Sequence, residues 1–223
     1  MTINGDQISV ILPVYNGATF IYQAIDSILA QSIQPMEIIV IDDGSTDDTA
    51  SVVKRFGDQV HYYYQNNSGT SVSRNRGVQL ARGDLLAFLD ADDLWPSDKL
   101  EKQVAALRDD PALDLIWGNV IEFRGPGTPD STAGRPVPGH HPGTMLIRRQ
   151  AFSRIGEFST TYQQVEVVEW MTRVLQAQIN QHMLPDVLMY RRLHAANKGM
   201  SNPAAGRQYL QVLKKHLERT RTK

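Results

Sequence analysis

The stretch "LLAFLDADDLWP", residues 85–96, runs from five apolar residues into Asp90, Asp92 and Asp93. Clustered carboxylates raise one another's pKa and destabilise a fold unless cations or hydrogen bonds compensate. A hard divalent cation such as Mg²⁺ or Mn²⁺ relieves that repulsion, because it prefers oxygen ligands and often shares them with substrate phosphates. A second acidic pair, Asp42 and Asp43, ends the apolar run "MEIIVID". Either cluster alone also fits ordinary turn and capping chemistry, in which carboxylates accept from the first N–H groups of the next helix. Together, at the ends of two strands, they favour a site, since ligands collect in the crevice at the carboxyl ends of parallel strands.

The elements that must place these acids follow from hydrophobic period. Apolar segments of strand length alternate with longer amphipathic ones, the order that builds a mostly parallel sheet flanked by helices. Strands are expected at 7–14, 36–42, 59–65, 84–90, 113–123 and 182–194, and helices at 20–31, 69–83, from Ser97 onward and at 164–177. Ser45 with Asp48 three positions on predicts a capping box and a helix starting directly after Gly44. Gly83 is expected to close the 69–83 helix. The segment "TMLIRRQAFSRIG" offers a short strand and a helical turn. Between 124 and 143 Gly and Pro are so dense that regular structure is not expected, and the segment reads as a mobile surface loop. In the tail, Tyr209, Leu210, Leu213 and Leu217 recur at helical spacing beside several cations.

Composition bounds the function. The chain has 223 residues, 41% hydrophobic and 21% charged, enough for one sizeable core. A formal net charge of −1 supplies no basic field for a polyanion, so nucleic acid is not an expected partner. With no cysteine, a metal must be held by oxygen or imidazole, and a reducing compartment fits. The first basic residue is Lys54, so no secretory signal is expected, and no apolar run approaches the roughly 20 residues that cross a bilayer. The expected location is the cytoplasm, with contact to a membrane surface left open.

Five motifs stand in register: "ISVILPVYNG", "IIVIDDGSTDDT", "GTSVSRNRG", "LLAFLDADDLWPSDKL" and "HMLPDVLMYRRLH". In order and spacing they resemble glycosyltransferase family 2, enzymes of the GT-A fold. The resemblance runs from about Ile8 to about Asn197 and is more specific in its first half. It implies a single α/β domain over 1–200, with a nucleotide-sugar-binding half at about 1–123 and an acceptor-side half at about 124–200; beyond it, the spacing in the tail predicts a basic amphipathic helix at 201–223. It implies a nucleotide-sugar donor, UDP-sugar favoured, and a metal-assisted inverting transfer of hexosyl or N-acetylhexosaminyl type to a glycan or lipid-linked acceptor. By position the backbone at Pro13 and the ring of Tyr15 would frame base and ribose, and Asp43 would accept from the base with Asp42 beside it. Arg74 falls on the donor side. Asp90 and Asp92 match the aspartate-any-aspartate motif, with Asp92 for ribose or metal and Asp93 as a further metal candidate. In the late strand, Arg191 or Arg192 would meet the diphosphate and His194 would complete the metal shell. A half-buried loop aromatic at Tyr15, a salt bridge at Arg74 and a solvated basic turn at 191–194 are the plain alternatives.

The resemblance weakens at the general base. Many relatives carry Glu-Asp at the start of the late helix, whereas here the stretch is "VEVVEW" with Val167 where the Asp would fall. Glu166 and Glu169 remain, three apart on one helix face. Glu169 is the preferred base, because Trp170 beside it would exclude water and offer a stacking surface to a sugar. His140 and His141 read as loop chemistry or an acceptor contact rather than metal ligands, and Trp95 and Trp117 as packing residues. The tail has three open roles: binding an anionic membrane surface, dimerising, or covering the core. Val167 keeps alive a catalytically degenerate sugar-nucleotide-binding protein. A nucleotidyltransferase is a weaker rival, since "PVYNG" is not a Gly-rich phosphate loop.

Overall fold

The computed structural model describes residues 7–125, 127, 129, 134–162, 165–194, 208–212 and 214. Leu213 and Leu217 of the tail, and residues 126, 128 and 130–133 of the Gly/Pro-rich segment, lie outside them.

The amino-terminal half is a set of parallel strands joined by helices. β1 (Ile8–Val14), β2 (Glu37–Asp42), β3 (His61–Tyr64) and β4 (Leu85–Phe88) alternate with α1 (Ile21–Leu29), α2 (Thr49–Lys54) and α3 (Thr70–Leu80). After α4 (Lys99–Asp109) come β5 (Leu115–Arg124), β6 (Val137–Gly139), β7 (Leu146–Arg148), α5 (Arg149–Ile155), α6 (Glu166–Gln176) and β8 (Gln181–Leu193). The sheet runs β3-β2-β1-β4-β7-β5-β6, and β8 pairs along the other edge of β5. β1 is parallel to β2 and β4, β2 to β3, and β5 to β8. β7 is antiparallel to β4 and β5, and β6 to β5.

Strands buried on both faces send alternate side chains to two cores. Val10 and Leu12 of β1 and Val40 of β2 meet Ile25, Ile28, Leu100 and Val104 from α1 and α4 on one face. Ile11, Ile39 and Phe88 meet Val78, Phe152, Trp170 and Val174 from α3, α5 and α6 on the other. α3 buries Ser71, Ser73, Arg74 and Asn75 beside Val78, polar groups that need partners once removed from water; Ser73 and Arg74 line the cleft, and Asn75 pairs with the Phe158 backbone.

Three local expectations change. The Ser45 capping box does not form, and α2 begins at Thr49. The Ser45 hydroxyl instead accepts from the Asn16 N–H at 2.8 Å. Gly83 does not cap α3, which ends at Leu80 with Ala81 extended. Its N–H donates to the Ser9 hydroxyl at 2.8 Å, and a Cβ there would strike the Gln7 carbonyl and stand 2.8 Å from the Ser9 nitrogen. Residues 124–143 are not wholly irregular either. β6 pairs with β5, and Pro142–Thr144 forms a buried 3₁₀ turn. The prolines do not prevent this, because Pro138 sits on a strand at the end of the sheet's order and Pro142 occupies the first turn, where a missing N–H costs little. In the tail, residues 208–212 are helical with Tyr209 and Leu210 exposed and Val212 buried. Among the described residues no helix is long and apolar enough to cross a membrane.

The Gly83 contact is with backbone, which cannot rotate aside. Gly83→Ala should therefore destabilise the protein by about 1–3 kcal/mol, the usual cost of forcing atoms into a packed interior. Urea denaturation measures it, and a stability within about 0.5 kcal/mol of the parent, as at an indifferent surface site, would contradict the close approach.

Candidate active site

Parallel pairing sets up the site. β1 aligns Val14 with Asp42 of β2 and Ile11 with Phe88 of β4, so the residues that follow all three strands emerge on one rim. There they line a cavity of about 460 Å³, a size suited to a small organic ligand. Pro13, Tyr15, Asp43, Arg74, Asp90, Asp92, Asp93, Glu166, Val167, Arg191 and His194 all line it. Asp42, Glu169 and Arg192 are not among the lining residues.

The β1 side of the cleft is stapled to the segment before α2. Asn16 adopts the left-handed backbone that Asn tolerates, and its Oδ1 accepts from the Thr46 N–H at 2.8 Å. The Gly17 N–H donates to the Thr49 hydroxyl at 2.9 Å. Tyr15 is left about half exposed beside the cavity. Asp43 is aimed by three donors: Gln65 Nε2 at 2.7 Å and the Ser68 N–H at 2.9 Å on Oδ1, and the Gly69 N–H at 2.8 Å on Oδ2. Oδ2 keeps capacity for a further donor.

Asp42 is a correction to the expected pair. Its Oδ1 accepts from the Ser45 N–H at 2.8 Å and its Oδ2 from the Tyr62 hydroxyl at 2.6 Å. Burial, with Asp42 as acceptor, pushes the Tyr62 phenol upward. Strand alternation explains the split, because neighbours on an extended chain point to opposite sides and only Asp43 reaches the cleft.

Arg74 organises the opposite wall. Its side chain is 3% exposed, and Nη2 meets both oxygens of Asp90 at 2.7 and 3.0 Å while Nη1 lies 3.4 Å from Glu166 Oε1. Its Nε is buried and has no hydrogen-bond partner. Burial would raise Asp90, yet the Arg74 guanidinium holds its carboxyl below the usual range. Asp92 and Asp93 go the other way. Burial and then the charge of Asp90 push Asp92 up, and burial with the charges of Asp92 and Asp90 pushes Asp93 well up. Glu166 is also raised, by burial that Arg74 only partly offsets.

β8 closes the cleft from above the aspartates. Leu94 and Tyr190 form an antiparallel bridge, with N–H···O distances of 3.0 and 2.8 Å. That pairing carries His194 Nε2 to 2.9 Å from Asp92 Oδ2, where the ring stacks on Phe20 at 4.9 Å between centroids. The Arg192 N–H donates to Asp93 Oδ1 at 2.9 Å. Arg191 lines the cavity and lies 3.2 Å from Glu122.

Arg192 is a second correction. Rather than facing the cavity, it is 1% exposed between the Phe20 and Phe123 rings. It donates to the Asp92 carbonyl at 3.0 Å, to Gln23 Oε1 at 2.7 Å and to the Gly125 carbonyl. Its Nε thus holds the aspartate turn while its other donors tie that turn to α1 and to the end of β5. Glu169 is a third correction. Its carboxylate is gripped by Arg173, with the shortest contact 2.8 Å, and Trp170 is fully buried with Nε1 donating to the Gly156 carbonyl at 2.9 Å. One turn further along α6 than Glu166, Glu169 is committed to Arg173 and does not line the cavity, and Trp170 offers no surface to a sugar.

His141, read from the sequence as loop chemistry or an acceptor contact, stands beside the aspartates, a position that sequence spacing did not give. The buried turn after β6 brings it into the cleft, where Nε2 lies 3.8 Å from Asp90 Oδ2. Burial lowers its pKa to about 4. Its partners lie some 50 residues away in sequence, so no local pattern signals the approach. One oxygen each of Asp90 and Asp93 and a His141 ring nitrogen lie within 4.8 Å of one another. Carboxylates and an imidazole are donors a divalent cation accepts, and Asp92 and Asp93, pushed above their usual range, are the acids whose repulsion it would relieve. Of the expected ligands Asp92, Asp93 and His194, only Asp93 belongs to this group, while His194 Nε2 lies against Asp92 Oδ2 and Asp90 is paired with Arg74.

The comparisons with known proteins agree with this architecture. Residues 9–166 match the family described as glycosyl transferase family 2. An uncharacterised glycosyltransferase of Rickettsia typhi is 39% identical over 109 residues, covering 49% of this chain and 34% of the relative. One of Haemophilus influenzae is 42% identical over 106 residues, covering 46% and 42%. The chain thus spans less than half the length of these relatives. Among solved structures, S. aureus TarS 1–349 in complex with UDP-GlcNAc superposes with a TM-score of 0.77 at 21% identity, covering 94% of this chain and 65% of that one. The mannosyltransferase PcManGT of Pyrobaculum calidifontis, in complex with GDP-Man and Mn²⁺, gives 0.69 at 22%, covering 97% and 64%. At these identities the superpositions establish the fold, GT-A. The match over 9–166, more than half of the chain, settles the lineage: this protein belongs to glycosyl transferase family 2.

Proposed function

We propose that the cleft binds a nucleotide-diphosphate sugar, a UDP-sugar by preference, and transfers the sugar with inversion to a hydroxyl of a glycan or lipid-linked acceptor. The observation that carries this reading is the convergence of Asp43, Asp92, Asp93, Glu166 and buried Arg74 on one cavity. In the proposal Asp43 accepts from the base, and Pro13 and Tyr15 border it. Asp90, held by Arg74, orients the ribose side, and Asp92, Asp93 and His194 hold Mg²⁺ or Mn²⁺. When bound, that cation neutralises charge developing on the departing diphosphate. Arg191 faces the same phosphates. In this reading residues of about 1–123 form the nucleotide-sugar half and about 124–200 the acceptor side, and most of the tail expected to be a basic helix, 201–223, lies outside the described residues.

Glu166 takes the role expected of Glu169. It removes the proton of the attacking hydroxyl as the new bond forms at the anomeric carbon, and the old bond's electron pair leaves with the nucleoside diphosphate. A carboxylate pushed upward by burial is a better base than a solvated one. The rival reading, a receptor that binds the sugar nucleotide without transferring it, is favoured by Val167 in the cleft and by the approach of Glu166 to Arg74.

Incubation with UDP-, GDP- and dTDP-sugars plus Mn²⁺ decides between them. Binding with slow donor hydrolysis supports the transferase, binding without it supports the receptor, and no binding overturns both. Transfer requires ionised Glu166, so its rate should fall as pH drops through a pKa above the ordinary carboxylate value. Glu166→Gln should lower kcat by about 10²–10⁴-fold, abolish that acid limb and leave the affinity for the donor intact. An unchanged kcat would remove Glu166 from the reaction.

Asp93→Asn retains the oxygen that accepts from the Arg192 N–H and deletes one of the mutually repelling charges. In chelator the variant should melt above the parent, with each kcal/mol worth about 2–4 °C in a chain of this size, and it should gain less from added Mn²⁺. A variant that melts lower in chelator would contradict the repulsion, and an undiminished Mn²⁺ increment would remove Asp93 from the metal set.

A further inference from the structure

His141 has no task in the reaction as proposed. Its Nδ1 accepts the Gly143 N–H at 3.1 Å. A ring nitrogen that accepts a hydrogen bond carries no proton, so in the neutral imidazole the proton sits on Nε2. Nε2 points toward Asp90 from 3.8 Å, beyond hydrogen-bond reach, and both Asp90 oxygens are engaged by Arg74.

The orientation is built into the fold. Trp95 Nε1 donates to the Gly143 carbonyl at 2.7 Å, and Gln103 Nε2 donates to the Thr144 carbonyl at 2.8 Å. Lys99 Nζ donates to Gln103 Oε1 at 2.6 Å. Lys99, Gln103 and Thr144 are fully buried. A Cβ on Gly143 would press on Met189 Sδ, so the turn is seated against β8 as well. The segment after the aspartates thus fixes the turn that aims His141 between them.

We propose that His141 is a fixed Nε2–H donor to an oxygen of the bound sugar nucleotide, and that it contributes no lone pair to the cation despite its distance from Asp90 and Asp93. The proposal rests on the nucleotide-sugar reading of the cleft. To ligate a cation through Nε2, the ring would have to move its proton to Nδ1, where it would oppose the Gly143 N–H and cost that hydrogen bond. Conversely, a partly buried N–H without a close acceptor gains when a ligand oxygen arrives.

The test uses the full chain as wild type, His141→Gln, whose amide can replace the Nε2–H, and His141→Phe, which cannot donate. Calorimetry with UDP-GlcNAc and UDP, or with GDP-mannose and GDP if only guanine nucleotides bind, should show about a tenfold loss for Phe, the scale of one hydrogen bond, and recovery by Gln. A loss shared by the free diphosphate places the acceptor oxygen on the phosphates, and a loss confined to the sugar nucleotide places it on the sugar. Equal affinities for wild type and Phe overturn the proposal. Electron spin-echo modulation of bound Mn²⁺ by ¹⁴N should be the same in wild type and His141→Gln, and its loss in the variant would make His141 a ligand. In ¹⁵N-histidine-labelled protein, long-range ¹H–¹⁵N correlations should report the Nε2–H tautomer, and the Nδ1–H pattern overturns the proposal whatever the ligand does. If wild type binds none of these nucleotides, the reading of the cleft fails first, and the tautomer spectrum separates that outcome from an error about His141.

Discussion

The architecture depends on the burial of Arg74. A guanidinium with 3% of its side chain exposed is tolerable only where carboxylates surround it, and Asp90 and Glu166 arrive from β4 and α6 to do so. One cation therefore joins the end of the nucleotide-side sheet to the helix that carries the proposed base. It also divides the acids by function. Asp90 is neutralised and held low, while Asp92 and Asp93 are left mutually repelling and pushed up by burial. The contrast with Glu37 at the other end of the sheet is instructive. That buried carboxylate accepts from the Ser9 hydroxyl and from both the N–H and Nε of Arg82, and it lies low. Where the fold needs a buried acid for structure, it saturates it, and at the carboxyl rim it does so for Asp42 and Asp90 but not for Asp92 and Asp93.

A second constraint is the return of β8. By pairing Tyr190 with Leu94, the chain brings Arg192 against the backbone of the aspartate turn and His194 against Asp92. The aspartates are consequently clamped from two directions, by Arg74 below and by the end of β8 above. The turn after β6 supplies a third wall through Trp95, Lys99 and Gln103, whose polar atoms are all directed inward to backbone carbonyls or to each other. Preorganisation of this kind lets a site meet developing charge without rearranging.

What was legible in the sequence follows from how local each signal is. The parallel β/α order, the acids that follow β2 and β4, and the late helix all depend on period and composition over a few residues. The faces of single residues were less legible. Asp42 and Asp43 look equivalent in a string, yet one bond of strand alternation sends the first to Tyr62 and the second to the cleft. Arg191 and Arg192 separate in the same way. Glu169 was misjudged because helix spacing says which residues share a stripe but not where the core lies, and Arg173 one turn on claims its carboxylate. His141 was read as loop chemistry or an acceptor contact, and its place beside the aspartates was hidden for a different reason. Its neighbours Asp90 and Asp93 are set by the pairing of β5 with β6 and β7, and Gly and Pro density around it suggested a loop where a buried turn forms.

The central claim is that the aspartates following β4 hold a cation against the diphosphate of a bound nucleotide. Crystals grown with UDP and Mn²⁺, recorded at the manganese absorption edge, test it most directly. The account predicts an anomalous peak within bonding distance of Asp92 or Asp93, with phosphate oxygens on its other side and the base next to Asp43. A manganese peak elsewhere, or a nucleotide seated with its base away from Asp43, would contradict it.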